Sequence, residues 1–342
     1  MVPFVLEKAN DIEAAIASAA AGGRYIAGGT TLIDLMREEV ERPDRLIDIN
    51  ALPLRDIGVD GGDLVLGALA TMANIAAHPD VQRLHPLIAE SLIEGASPQL
   101  RNMASIGGNL LQRVRCPYFR MLDAACNKRT PGSGCAALEG LNAGHAVLGT
   151  SAHCVATHPS DVAVAFVALG AIMRVRGPHG ERSFAVEDLF RLPGDTPHLE
   201  HTLFPGEVIV EIRVPSGPYG RRSRYLKVRD RASYEFALVS AAVALEVEDG
   251  VIRSARVACG GVGTKPWRMR GCETALTGRP VDRNVFEEAA SLSTLGADAP
   301  SQVVQVALWE VDAEGSDCFA TGRRATRSRE YAESPGSSRN GK

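Results

Sequence analysis

The sequence predicts an α/β (α+β) protein of two or three domains, and three observations carry that expectation. The chain has 342 residues, longer than one ordinary core usually grows. Up to about residue 90, short apolar strands alternate with amphipathic helices through glycine turns, which is βαβ character. From about Arg221 the pattern changes to long strands followed by helical stretches. Composition agrees: 45% hydrophobic and 23% charged residues describe a soluble globular chain. A net charge of −4, from 37 basic and 41 acidic residues, argues against nucleic acid as the main partner. No apolar run approaches the roughly 20 residues needed to span a bilayer, so no membrane insertion is expected. The start, MVPFVLEKANDIEAAIASAA, lacks a basic segment followed by an unbroken apolar core. A cytoplasmic location is the default expectation, or a periplasmic one reached by co-export with a signal-bearing partner.

The elements follow in order. DIEAAIASAAAGG is an amphipathic helix stopped by Gly22 and Gly23. RYIAGGTTLIDLMREE gives a short strand, a Gly-Gly turn and a helix beginning near Thr31. RLIDI is the next strand, and LVLGALATMANIAAHP a strand and helix. LIAESLIEGASPQLRNMASIGGNLLQ is a helix leading into a glycine turn. DVAVAFVALG is a compact helix, followed by strands at AIMRVRG and EVIVEIRVP. A domain boundary is placed near 216–221, at SGPYG. Beyond it, FALVSAAVALEVEDGVIRSARVACGGV is β-rich with a hairpin turn at Glu248 to Gly250. Helices follow at MRGCETALTG and VFEEAASL.

Three short stretches carry chemistry. IAGGTTL places two glycines between a strand and a helix, where backbone N–H groups can face a phosphate. The plain alternative is a tight βα turn. ASIGGNL has the same look, and two such loops suit a ligand with a pyrophosphate and a long body, such as a dinucleotide. Neither matches Gly-x-Gly-x-x-Gly or the Walker pattern. In THPSD, Asp161 starts a helix and could cap it, with Ser160 a competing cap, or could accept from a ribose or adenine. No nucleophile elbow surrounds Ser160, so a hydrolase triad is not expected. The scattered histidines support no metal site.

Four of the seven cysteines, Cys116, Cys126, Cys135 and Cys154, lie together in a glycine-rich basic stretch. Their spacing is not the Cys-x-x-Cys of structural zinc sites. Free thiols in a long loop, a zinc site and an iron–sulfur site all stay open from the residues alone. Cys259 is expected to be buried packing.

The combination AGGTTL, ASIGGNL, THPSD and YLKVRDRASYEFALVSAAVAL resembles the FAD-binding medium subunit of the xanthine dehydrogenase and aldehyde oxidoreductase family of molybdenum hydroxylases. The resemblance runs in order from residue 1 to about 295. It implies a two-subdomain FAD-binding domain over 1–218 and a C-terminal domain of sheet plus helices over 219–298. Ile26, Ala27, Gly28, Gly29, Thr30, Thr31 and Leu32 match the first FAD loop, and Ser105, Gly108 and Asn109 the second. Asp161 matches an aspartate that contacts the flavin nucleotide, and Lys227 a lysine near the flavin ring. Without the resemblance, Lys227 reads as a solvated charge.

The stretch from about 112 to 156 resembles an insertion found in branches whose FAD subunit also carries a [4Fe–4S] cluster, the periplasmic aldehyde oxidoreductases and 4-hydroxybenzoyl-CoA reductases. RTPGSGCAALEG is most similar to the aldehyde oxidoreductase version. The resemblance implies Cys116, Cys126, Cys135 and Cys154 as cluster ligands, with Arg113, Arg115, Lys128 and Arg129 favouring the thiolates. It implies partners too: a large molybdenum-cofactor subunit that oxidises aldehydes to carboxylic acids, a small [2Fe–2S] subunit, and an external electron acceptor. A 4-hydroxybenzoyl-CoA reductase-like or xanthine dehydrogenase-like complex is the alternative, and a non-enzymatic iron–sulfur scaffold a third reading. Residues 299–342 depart from the family's apolar closing helix and read as a basic, disordered tail.

Overall fold

The computed structural model of the chain describes residues 1–220 and 222–294, so the tail reading of 299–342 lies outside the described residues. Three sheets organise it. The first is parallel, with β1 (Val5–Lys8), β2 (Arg24–Ile26) and β3 (Arg45–Asp48) in the order β1-β3-β2. Its crossovers hold α1 (Ile12–Ala20) and α2 (Leu32–Arg37). The Asp11 carboxylate caps α1, accepting from the Ala14 N–H at 2.7 Å, and Ala15, Ile16 and Ala19 form its buried face.

The βαβ pattern ends sooner than the sequence predicts. β4 (Ile57–Asp60) and β5 (Asp63–Gly67) leave for a five-stranded antiparallel sheet. It is completed by β6 (Ile172–Gly177), β7 (Gly180–Ala185) and β8 (Val208–Val214), in the order β4-β5-β8-β6-β7. β5 pairs with β8 from Leu64↔Val214 to Gly67↔Glu211. Alternation in DLVLG specifies a half-buried strand but not whether its partner lies near or far along the chain.

Between β5 and β6 run α3 (Met72–Ala77), α4 (Pro79–Leu84), α5 (Pro86–Glu94), α6 (Pro98–Met103), α7 (Ile106–Leu110), α8 (Pro117–Arg120) and α9 (Asp161–Leu169). The predicted single helix leading into a glycine turn is thus three helices. Ser97 caps a new start before Pro98, and the glycines of ASIGGNL lie inside α7 instead of forming a turn. The Ser105 hydroxyl accepts from the Gly108 N–H at 3.2 Å and so begins that helix. Gly107 is needed for contact: a Cβ there would stand 3.1 Å from the Ala68 carbonyl oxygen.

Every residue of α9 is buried, which makes it the central post of the largest core. Against it lies the third sheet, antiparallel, with β9 (Ser223–Val228), β10 (Val239–Glu248), β11 (Val251–Gly260) and β12 (Trp267–Arg268) in the order β12-β11-β10-β9. Asp249 (φ 52°) and Gly250 (φ 72°) make the tight hairpin turn read from the sequence. Alternation then divides the sheet. Ala242, Ala244 and Ala258 face the core around α9, whereas Val243, Leu245, Val257 and the fully buried Cys259 pack with α10 (Arg270–Leu276) and α11 (Arg283–Ser291).

The small residues on the α9 side let the sheet approach closely. A Cβ on Gly260 would fall 2.5 Å from Val164 Cγ2 and 2.7 Å from the Ser240 hydroxyl. Val164 is β-branched within a helix and cannot turn away. Gly260→Ala is therefore expected to destabilise the protein by about 1–3 kcal/mol in denaturant unfolding.

Candidate functional site

A cavity of about 920 Å³ opens among the first sheet, α7, the first turn of α9 and β9. Every flavin-site position read from the sequence lines it: Ile26 to Leu32 on one wall, Ser105, Gly108 and Asn109 on another, Asp161 and Lys227 at one end. The first wall depends on two glycines. Gly29 has φ 70°, and a Cβ on Gly28 would overlap the Met103 carbonyl oxygen at 1.9 Å. Among the described residues, the N–H groups of Gly28, Gly29 and Thr30 take no intramolecular partner, so they are free to donate to a ligand.

The second wall is tied to α9 by a short polar chain. The Ser160 hydroxyl donates to Asn109 Oδ1 at 2.5 Å, and the Asn109 amide reaches Met72 Sδ at 3.4 Å. Ser160 is also the cap of α9, accepting from the Ala163 N–H at 3.2 Å. That settles the competition raised by THPSD. Asp161 is the first helical residue, and its carboxylate serves other groups. Oδ1 accepts from the Tyr225 hydroxyl at 2.7 Å, and Oδ2 from the Lys227 ammonium at 2.8 Å. The Lys227 side chain is 1% exposed, so the reading of a solvated charge is overturned, and its ammonium also donates to the Glu94 carbonyl at 3.1 Å. Tyr225 and Lys227 stand two apart on β9 and share its inward face. Burial, and then the Asp161 charge, push the Tyr225 phenol well above its ordinary pKa, so Tyr225 is a fixed donor. Sequence reading missed it, although the i, i+2 spacing from Lys227 was a usable signal.

His158, read as a turn residue, packs half-buried against Phe190 with ring centroids 4.5 Å apart, and desolvation of its ring lowers its pKa to about 4. Glu200, which no motif marks, borders the cavity beside Arg113. It pairs with both Arg113 and Lys128, the latter at 2.8 Å. Burial opposes its ionisation, but Arg113 and Lys128 outweigh that and hold its carboxyl below the usual range.

Next to the cavity, loops from 112 to 156 bring the four cysteines towards one small cluster. Cys126 and Cys154 are buried with Leu35, Val114, Phe119 and Ala156, and Cys116 packs against them. Cys126 and Cys135 face each other across an isolated antiparallel bridge. The thiols lie close enough to disfavour one another's ionisation: Cys116 is pushed up to about 11, chiefly by burial and further by Cys126 and Cys154. Burial also raises Cys154, with Lys128 opposing it. His145 Nε2 stands 3.2 Å from Cys116 Sγ. Among the described residues, no group of three or more His, Cys, Asp or Glu side chains is arranged to hold a metal ion. The basic residues also differ from expectation. Arg113 is paired with Glu41 and Glu200, Arg115 lines the cavity, and Arg129 donates to the carbonyls of Tyr118, Phe119 and Met121. Lys128 favours ionisation of the Cys154 thiol. No described helix is long and apolar enough to cross a membrane.

Comparison with known proteins places this architecture. Residues 3–217 match the FAD binding domain in molybdopterin dehydrogenase, and residues 224–303 the CO dehydrogenase flavoprotein C-terminal domain. The chain is 50% identical over 281 residues to the aldehyde oxidoreductase FAD-binding subunit PaoB of Escherichia coli, covering 81% of this chain and 87% of the relative. It is 27% identical over 269 residues to the carbon monoxide dehydrogenase medium chain of Hydrogenophaga pseudoflava, covering 78% and 76%. Among solved structures, reconstituted CO dehydrogenase from Oligotropha carboxidovorans shares the fold with a TM-score of 0.72 at 23% identity, over 92% of this chain and 100% of the other. The chain belongs to the FAD-binding medium subunits of the molybdenum hydroxylase family, and is an oxidoreductase subunit.

Proposed function

We propose that this chain is the FAD and [4Fe–4S] electron-transfer subunit of a molybdenum-dependent aldehyde oxidoreductase, working with a large molybdenum-cofactor subunit and a small [2Fe–2S] subunit. The observation that carries the aldehyde reading is the 50% identity to an aldehyde oxidoreductase FAD-binding subunit across 81% of this chain. The free N–H groups of Gly28, Gly29 and Thr30 suit the pyrophosphate of FAD, and the cavity is of a size that holds a large organic ligand. At the far end, Lys227 supplies a cation held in place by Asp161 and the Glu94 carbonyl. A fixed ammonium there favours added negative charge on a bound ring without reorganising. Bound FAD supplies the redox chemistry, and the protein supplies orientation and a sheltered surface for it.

The donor set of the cysteine loops fits a cluster. Cys116, Cys126 and Cys154 share one cluster and Cys135 is bridged to Cys126, with Lys128 beside Cys154 to offset negative charge. Burial keeps Cys116 and Cys154 protonated near neutrality, so loading must release their protons and is favoured as pH rises. The reading rests on donor type and on the nearness of the four thiols.

Iron, sulfide and flavin analysis of the anaerobically purified complex, with low-temperature EPR after reduction, tests both cofactors. The expected result is about four irons and one FAD per copy of this chain beyond those of the partners. Flavin without that iron removes the cluster from the reading, and absence of both removes the reading itself. Serine at Cys116, Cys126, Cys135 or Cys154 is expected to lower iron content, whereas serine at Cys259 or Cys272 leaves it unchanged. Ser160→Ala, which loses a helix cap, is expected to cost about 0.5–2 kcal/mol. Asp161→Ala strands a buried lysine, costs about 3–5 kcal/mol and weakens FAD retention, measured by thermal unfolding and flavin titration.

A further inference from the structure

Among the described residues, the charged side chains on the cavity wall are matched, with one exception. Lys227 meets Asp161, Arg113 meets Glu41 and Glu200, and Arg231 meets Glu235 at 3.1 Å. The carboxylates that act on Arg115 through space, Asp34 and Glu38, are both paired with Arg120, each at 2.7 Å. Among the described residues, Arg115 makes its side-chain hydrogen bonds to neutral groups. One terminal nitrogen donates to the Thr31 hydroxyl at 3.3 Å and to Gln112 Oε1 at 3.2 Å. Its Nε is buried and has no partner. The guanidinium lies 5.1 Å from the centre of the Phe236 ring, which fixes its plane. Burial, and after it Arg120, lower its pKa, with Asp34, Tyr234 and Glu38 opposing.

A guanidinium without a carboxylate partner, on the cavity wall beside a glycine segment whose N–H groups are also unused, suits an anion with several oxygens. We propose that Arg115 binds the pyrophosphate of the dinucleotide directly, completing with a positive charge the cradle formed by Gly28, Gly29 and Thr30. This rests on the reading of that segment as the pyrophosphate site. Thr31 belongs to the same segment, so the hydrogen bond it accepts already holds the guanidinium beside it. Arg115 lies in the cysteine-bearing stretch, so this part of the flavin site comes from a region outside the two glycine segments.

The test uses the full chain, co-purified with its partner subunits, stripped of flavin and retitrated with FAD, with ADP and adenosine as competitors. In the native protein ADP is expected to displace FAD at least about tenfold better than adenosine. Arg115→Gln is expected to weaken FAD and ADP by about 10–100-fold and to leave adenosine unchanged. Arg115→Lys, which keeps charge but not the fork, should fall between. Equal loss for all three ligands, or no loss for any, overturns the assignment and leaves the pyrophosphate cradle standing. ADP and adenosine competing equally in the native protein overturns the cradle and the assignment with it.

Discussion

The buried ion pair between Asp161 and Lys227 is the constraint around which the rest is arranged. Two charges removed from water are tolerable only when their remaining hydrogen-bonding capacity is filled. Here Tyr225 takes the second carboxylate oxygen and the Glu94 carbonyl takes another ammonium proton. The consequences are architectural. Asp161 opens α9, a helix with no exposed face, while Tyr225 and Lys227 hang from β9 of the C-terminal sheet. The pair therefore fixes the C-terminal sheet to the core of the N-terminal domain at the end of the cavity. Apolar residues of the same volume would hold that seam at no greater cost, so stability alone does not account for the choice.

A second constraint acts on the stretch between α7 and α9, which has little regular structure yet is partly buried. Its backbone groups need partners that helices and sheets would otherwise supply. Arg129 provides many of them, donating to the carbonyls of Tyr118, Phe119 and Met121, while Asn127 joins the His153 carbonyl to the Gly134 N–H. These basic and amide side chains replace secondary structure as the scaffold for the cysteines. That explains why the positive charges are spent mainly on carbonyls and carboxylates rather than thiols. Arg113 follows the same logic: stacked 4.8 Å over the Phe119 ring, it ties Glu41 near the first sheet to Glu200 in the loop after β7.

How much of this was legible in the sequence depends on how local the signal is. The hairpin at Asp249 and Gly250 and the α1 stop are written in adjacent residues, and reading them needs no partner. The family motifs gathered Asp161 and Lys227, residues far apart in the chain whose encounter no periodicity announces. What stayed hidden is pairing at a distance. β5 reads as one more strand of a βαβ run because its partner, β8, lies well over 100 residues downstream. Glycines that look like a turn in ASIGGNL are helical because Ser105 caps them, and Gly107 packs closely on Ala68. Glu200 sits in a loop without pattern, and its burial between Arg113 and Lys128 is a property of the fold alone.

The same reasoning links the flavin cavity to the cysteine loops. Arg115 and Cys116 are consecutive, yet Arg115 lines the cavity and Cys116 packs into the cysteine cluster. A single peptide unit separates them, so whatever fixes the backbone at Cys116 also fixes the position from which Arg115 reaches Thr31. Lys128 and Glu200 make a parallel connection, since Lys128 acts on Cys154 while Glu200 borders the cavity.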